Sequence, residues 1–296
     1  LNIGILSRDR NLYTVRRLRD AAHELGHRAV FLNLLKCALY SETDRLAVYY
    51  GGKKLAKLDV ILPRIGANVT NYGLAVVRHF EEMGTPVVNS SRSILLSRDK
   101  FSTMQLFARR GIPIPKTLLL RTADGIERHI QLVNGTPCIL KTTMGTQGIG
   151  VMLAESTEAA QSILETVWGL SDREMQLQAF VGETKGKDLR ALVVGDEVVA
   201  AMERVSTADF RSNIHRGAMG RLVHLDDEQY EVAIRAARAL GLNLTGIDMI
   251  VTKDGPVVLE ANSSPGFEGL EAATEKDIAI SIVRFVIEYA ERRSTS

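Results

Sequence analysis

Asn243-Leu244-Thr245-Gly246-Ile247-Asp248-Met249-Ile250-Val251, and after it Pro256-Val257-Val258-Leu259-Glu260-Ala261-Asn262-Ser263-Ser264-Pro265-Gly266, read as two strands running into a small-residue loop. Lys253-Asp254-Gly255 supplies turn chemistry between two β-branched runs. A three-residue loop centred on Asp254 sets Asp248 directly opposite Glu260. The strand period of two then puts Asn262 on the same face as Glu260, and Met249, Val251, Val257 and Leu259 on the core-facing side. Two acids and an amide on one face form an all-oxygen donor set. Hard cations take such sets, and magnesium is commonly held by one or two carboxylates plus nucleotide phosphates. The competing reading is a hairpin with surface acids; the shared face favours the metal and, with it, phosphoryl chemistry.

A chain of 296 residues is long enough for two domains, or for one domain with a lid. Its 45% hydrophobic and 24% charged fractions are those of a globular protein rather than a disordered one. The formal net charge of +2 gives no reason to expect a nucleic-acid or membrane partner. Cys37 and Cys138 lack metal-ligand spacing and sit beside apolar residues, which points to buried free thiols in a reducing, cytoplasmic compartment. No apolar run approaches the ~18 residues of a spanning helix. No signal peptide precedes Asn2-Ile3-Gly4-Ile5-Leu6, which has the pattern of a first core strand.

The first third alternates strand and helix: strands at Ile3 to Leu6, Ala29 to Leu32, Val60 to Pro63 and Pro86 to Asn89, helices at Tyr13 to Leu25 and Tyr72 to Met83. That rhythm predicts a small parallel sheet. Leu46 to Leu55 has the form of a short hairpin around Gly51-Gly52. Ser91 to Arg110 forms one or two helices, and Ile112-Pro113-Ile114-Pro115 a rigid extended link near which a domain boundary falls. Beyond it come strands at Thr117 to Leu120, Thr136 to Thr142, Val151 to Ala154 and Met175 to Val181. Helices fall at Ala123 to Val133 and Thr157 to Trp168. From Asp188 the pattern turns antiparallel, with a hairpin at Asp188 to Val205 around Gly195-Asp196. Helices at Asp226 to Leu240 and Ala279 to Arg292 flank the opening hairpin. The fold class is α/β, becoming α+β toward the C-terminal part.

Lys141 ends a strand, and Thr142-Thr143-Met144-Gly145-Thr146-Gln147-Gly148-Ile149-Gly150 leads to the next. Glycines let backbone N–H groups approach phosphate, and the lysine adds a point charge. The lysine precedes the glycines, so this is not a P-loop; the spacing between strands also excludes the dinucleotide fingerprint. A plain hairpin loop is the alternative, and the acid cluster downstream tips the reading toward a loop closing over a triphosphate. Gln178-Ala179-Phe180 ends a strand, which is either a plain strand end or an edge that hydrogen-bonds adenine. Asp188 and Arg190 share one face of their strand and need a polar ligand or each other. Arg204, Arg211, Ser212, Asn213 and Arg216 lie between strands. They suit either a solvated basic loop or one that neutralises phosphoryl and carboxylate oxygens. His215 lacks an orienting acid in sequence, and phosphoryl transfer needs charge and position more than a base. Lys100, near a helix start, is either a phosphate contact or a surface lysine.

Together these residues resemble the ATP-grasp carboxylate–amine ligases, and among them the RimK group, the glutamate ligases that modify small-subunit ribosomal protein number six. The likeness runs through Ile5 to Asp9, Pro63 to Gly66, Arg98-Asp99-Lys100, Gly145 to Val151, Leu192 to Ala201, Asp209 to Asn213 and Glu260 to Gly266, in order along the chain. It implies a pre-grasp Rossmann-like domain over 1–97, a central lid domain over 98–185 and a C-terminal antiparallel-sheet domain over 186–296. It implies ATP contacts from Lys100, Lys141, Gly145, Gln147, Gly148, Gln178, Ala179, Phe180, Asp188, Arg211, Ser212 and Asn213. Asp248, Glu260 and Asn262 would hold two magnesium or manganese ions, and Arg190, Arg204 and Arg216 would hold carboxylate or tetrahedral oxygens during catalysis. One position departs from the pattern: Ala179 stands where an acid is expected. The implied activity is ATP-dependent addition of L-glutamate to the C-terminus of that ribosomal protein, with poly-α-glutamate as a further product, by a cytoplasmic homotetramer. A related ligase with another acceptor and a silent nucleotide-binding regulator are the alternatives.

Overall fold

The computed structural model describes residues 1–66, 69–143, 150–170, 174–182, 186–206 and 219–294. Its first part alternates as the pattern predicts. β1 (Asn2–Ser7), α1 (Tyr13–Glu24) and β2 (Arg28–Asn33) come first. A meander of β3 (Cys37–Glu42), β4 (Arg45–Tyr50) and β5 (Lys53–Lys54) intervenes before β6 (Val60–Arg64) and α2 (Thr70–Glu82). β2, β1 and β6 lie side by side and parallel, with Ser7 paired to Arg64 where the strands end.

Two expectations are corrected here. Leu46 to Leu55 is not a lone hairpin: the Gly51-Gly52 turn joins β4 to β5, but β3 also pairs with β4 along its whole length. The expected fourth strand, Pro86 to Asn89, contracts to a single parallel bridge between Ile61 and Val87. The Asn89 side chain explains this. Its amide donates to the carbonyls of Leu244 and Ser263, and its oxygen accepts from the N–H groups of Asn243 and Leu244. Those bonds draw the chain off the parallel sheet and onto the C-terminal hairpin.

α3 (Ser91–Arg98) and α4 (Lys100–Arg109) are separated by Asp99, whose carboxylate caps α4 by accepting the N–H groups of Phe101 and Ser102. The second sheet combines β7 (Thr117–Leu120), β8 (Cys138–Thr142), β9 (Val151–Ala154) and β10 (Met175–Ala179) in the antiparallel order β7-β10-β8-β9. α5 (Ile126–Leu132) and α6 (Thr157–Leu170) cover it, packing Ile126, Ile130 and Leu164 against Leu140 and Leu177.

The third sheet is antiparallel, in the order β13-β12-β11-β14-β15. Its strands are β11 (Lys187–Val194), β12 (Glu197–Val205), β13 (Met219–Leu222), β14 (Leu244–Thr252) and β15 (Gly255–Asn262). One face, with Leu189, Ala191, Val193, Ile247, Met249, Val258 and Ala261, packs on α4 and on α7 (Asp227–Leu240). The other face divides. Leu192, Val194 and Leu244 join a core with Ile3 and Ile5 of β1 and with α9 (Ile278–Ser294), which follows α8 (Glu268–Thr274). Further along the same face come Arg190 and Asp188, beside Asp248. A face that is apolar at one end and charged at the other anchors the sheet and leaves its charged half for chemistry. Among the described residues no helix is long and apolar enough to cross a membrane.

Candidate active site

The hairpin of β14 and β15 brings Asp248 opposite Glu260, as expected, but by a different route. Its loop holds two residues rather than three, because Thr252 pairs with Gly255. That register runs to Met249 opposite Val258, and carried further it would turn Glu260 into the core. A β-bulge at Leu259 inserts one residue, so Asp248 meets Glu260 and Gly246 meets Asn262. The core-facing residues of β15 are therefore Val258 and Ala261, not Val257 and Leu259. Gly246 is a site requirement: a Cβ there would lie 3.2 Å from Pro265 and 3.7 Å from the Nε of Arg190.

Around Asp248 the charges interlock. Arg190, opposite it on β11, donates from Nε and Nη2 to its two oxygens at 2.7 Å each. Arg204 lies not between strands, as expected, but within β12 opposite Asp188, where pairing fixes its side chain; it forms a bidentate pair with that carboxylate and reaches Asp248 at 3.0 Å. Burial alone would raise the pKa of Asp248, but Arg190 and Arg204 outweigh it and hold the carboxyl below its ordinary value. Burial likewise opposes the charge on Arg204, and Asp248 and Asp188 overcome it, lifting its pKa above the ordinary value.

Around Glu260 the surroundings are cationic. Lys141, at the end of β8, donates to Gln178 Oε1 at 2.6 Å, and the Gln178 amide donates to Thr117 Oγ at 2.9 Å. Burial pushes the Lys141 ammonium down to about 8; Lys100 pushes the same way and Glu260 opposes. Arg98 donates to the Ile65 carbonyl and is also lowered by burial, against the pull of Glu260. Five cations (Arg98, Lys100, Lys141, Arg190, Arg204) thus surround three acids (Asp188, Asp248, Glu260). The positive excess suits a polyphosphate.

The donor set fits a hard divalent cation at Glu260 and Asn262; Asp248 Oδ2 is taken by Arg190 and Arg204, so Oδ1, which accepts from Arg190, is the oxygen left to share. Glu260 is exposed, and Asn262 accepts the Ser264 N–H at 2.9 Å, which leaves its oxygen a second lone pair. Among the described residues no three His, Cys, Asp or Glu side chains group as metal ligands, so the third donor has to be the Asn262 amide.

Of the remaining sequence-predicted residues, Ala179 closes β10 with its methyl group buried in the core of the second sheet, where an acid would be desolvated. Phe180 follows the strand end. Gly145, Gln147, Gly148, Arg211, Ser212, Asn213 and Arg216 lie outside the described residues, as does His215. In the sequence, Arg98 has no role beyond its place in the Arg98-Asp99-Lys100 block, two residues before Lys100, and the Asn89 side chain has none.

The comparisons with known proteins cover the whole chain. Residues 1–94 match the RimK PreATP-grasp domain and residues 97–286 the RimK-like ATP-grasp domain. A probable alpha-L-glutamate ligase of Coxiella burnetii (strain Dugway 5J108-111) is 47% identical over 97% of this chain and 95% of its own. The crystal structure of a RimK domain ATP-grasp protein from Sphaerobacter thermophilus DSM 20745 superimposes with a TM-score of 0.76 at 24% identity, covering 97% of this chain and all of that one. The ATP-grasp ligase PsnB, solved with a minimal precursor, magnesium and ADP, gives 0.76 at 21% identity over 98% of each chain. With an acid pair on a bulged hairpin, a lysine-ended strand whose charge bears on it and both domain models matched in order over residues 1–94 and 97–286, the chain belongs to the RimK-like ATP-grasp ligases.

Proposed function

We propose that the protein adds L-glutamate to the C-terminal carboxylate of small-subunit ribosomal protein number six, and extends the product as poly-α-glutamate. The observation that carries this reading is the Asp248–Glu260 pair ringed by five cations. The γ-phosphoryl group of ATP passes to an oxygen of the acceptor carboxylate, giving an acyl phosphate and ADP. The amine of glutamate attacks the acyl carbon, loses its proton, and phosphate leaves. Lys100 and Lys141 bind phosphate oxygens, with Gly145, Gln147, Gly148, Arg211, Ser212 and Asn213 completing the nucleotide set from sequence. Gln178 to Phe180 serve adenine and Asp188 the ribose. Arg190, half-buried, faces the acceptor; Arg204, deeper, fixes Asp188 and Asp248, and Arg216 joins them. Asp248, Glu260 and Asn262 would hold two magnesium or manganese ions, which when bound neutralise charge on the transferring group. The division at 97/98 and 185/186 and a cytoplasmic homotetramer belong to the same reading.

The neighbour PsnB was also solved with a precursor peptide, PsnA2. That supports a peptide acceptor over a small cofactor or metabolite, and the intact acid pair argues against a regulator without turnover. The test is incubation with ATP, magnesium, each amino acid and the ribosomal protein, read by acceptor mass. Glutamate-dependent mass gain with ADP release is expected. ADP release at one rate with or without glutamate argues against it. Glu260→Gln should lower ligation by at least about 100-fold with the fold intact, checked by activity beside circular dichroism.

A further inference from the structure

Where β1 and β6 end, the structure buries polar groups it does not pair. Arg64, the last residue of β6, is only 7% exposed, and Ser7, its register partner on β1, is fully buried. Arg64 Nη2 donates to the carbonyl of Pro265, in the loop just after the predicted metal ligand Asn262. Its Nε and Nη1, with the hydroxyls of Ser7, Ser263 and Ser264, are buried without a hydrogen-bond partner among the described residues. Burial alone pushes the Arg64 guanidinium down to about 10, with no acid opposing it. A buried cation without a counter-charge is costly, and native folds rarely keep several unpaired donors in one spot without use.

A structural tether does not explain the arrangement. Holding one carbonyl takes one N–H, which a lysine also supplies. A guanidinium with two further nitrogens left over presents a fork matched to a carboxylate. The place is also where ligands bind on parallel α/β sheets, beyond the carboxyl ends of the strands. Exposed Gly66 and Gly266 flank it, and a Cβ on Gly266 would meet nothing within 4 Å.

We propose that Arg64, with the hydroxyls of Ser7, Ser263 and Ser264, forms the subsite for the side-chain carboxylate of the incoming amino acid, and so selects a dicarboxylic amine substrate. This rests on the ligase reading above. Through Pro265 the subsite is joined to the metal-ligand loop, so seating the amino acid and ordering that loop are one event.

The test compares wild type, Arg64→Lys and Arg64→Met, with Ser7→Ala as a variant that keeps the charge. Glutamate KM should rise roughly 100-fold in both Arg64 variants while ATP KM stays within about twofold. The preference for glutamate over glutamine should shrink with it. Equal glutamate KM in all four proteins overturns the subsite and leaves the ligase reading standing. A crystal structure of wild type with glutamate, magnesium and a non-hydrolysable ATP analogue decides the matter even if the variants fail to fold. The glutamate side-chain carboxylate on Arg64 Nε and Nη1 supports the proposal. An acceptor carboxylate there, or glutamate bound elsewhere with Arg64 on Pro265 alone, overturns it. Glutamate seated on Arg64 in a protein that ligates no acceptor would sink the ligase reading and keep the subsite.

Discussion

Arg204 and Arg64 are almost equally deep, at 3% and 7% exposed, yet their surroundings differ in kind. Arg204 sits between Asp188 and Asp248, which hold its charge firmly despite burial. Arg64 has one backbone carbonyl and no acid, and its pKa falls to about 10. The first arginine is complete within the fold; the second is complete only with an anion from outside. Depth alone therefore does not separate an internal brace from a binding group, whereas the count of partners does.

The comparison can be broken most forcefully at Arg204. Arg204→Met removes the bidentate partner of buried Asp188 and one of the two arginines on Asp248, and should cost about 3–5 kcal/mol of stability, read by denaturant unfolding. A cost near zero would mean that the Asp188–Arg204–Asp248 chain is not the brace described. Lys141 gives an intermediate case, lowered by burial but opposed by Glu260. It is mostly charged at pH 7 and mostly neutral at pH 9, so ATP affinity should weaken by about tenfold as pH rises through about 8, and Lys141→Met should flatten that profile. Stability should move the other way. The unfolded chain keeps the lysine proton to its ordinary value, so between the lowered and ordinary pKa it binds more protons and stability rises with pH. The smallest effect is expected at the other end of the comparison. Arg64→Met loses one hydrogen bond to Pro265, about 1 kcal/mol, but also relieves an uncompensated buried charge, so stability should stay level or rise, measured in the same unfolding series.

Much of this was legible in the sequence because periodicity and turn chemistry agree. The β1-α1-β2 unit, the helix after Asp226 and the hairpin around Gly195-Asp196 all appear where the pattern puts them. The acid pair was found through an assumption about the loop that the structure replaces. Val257 and Val258 are equally suited to the core, so nothing in that stretch signals the bulge at Leu259 that sets the register. β3 escaped notice because Cys37-Ala38-Leu39-Tyr40-Ser41-Glu42 does not alternate, and β13 and α8 because they are too short to show a period. The Arg190–Asp248–Arg204 chain depends on strands far apart in sequence, and Asn89 on bonds to residues more than 150 positions away. Arg64 follows an apolar run, and no local signal tells a buried arginine from one at a strand's exposed end.

The most direct test of the central claim follows an oxygen atom. If the enzyme activates the acceptor as an acyl phosphate, an acceptor labelled with heavy oxygen in its C-terminal carboxylate should pass one labelled oxygen to phosphate with the first glutamate added, and phosphate from any later addition should be unlabelled because the activated carboxylate is then that of the added glutamate. Mass spectrometry of phosphate and acceptor from one reaction reads both. Labelled phosphate appearing only with glutamate, one per acceptor that has gained its first glutamate, is the predicted result. Unlabelled phosphate alongside ADP release and an unchanged acceptor would contradict it.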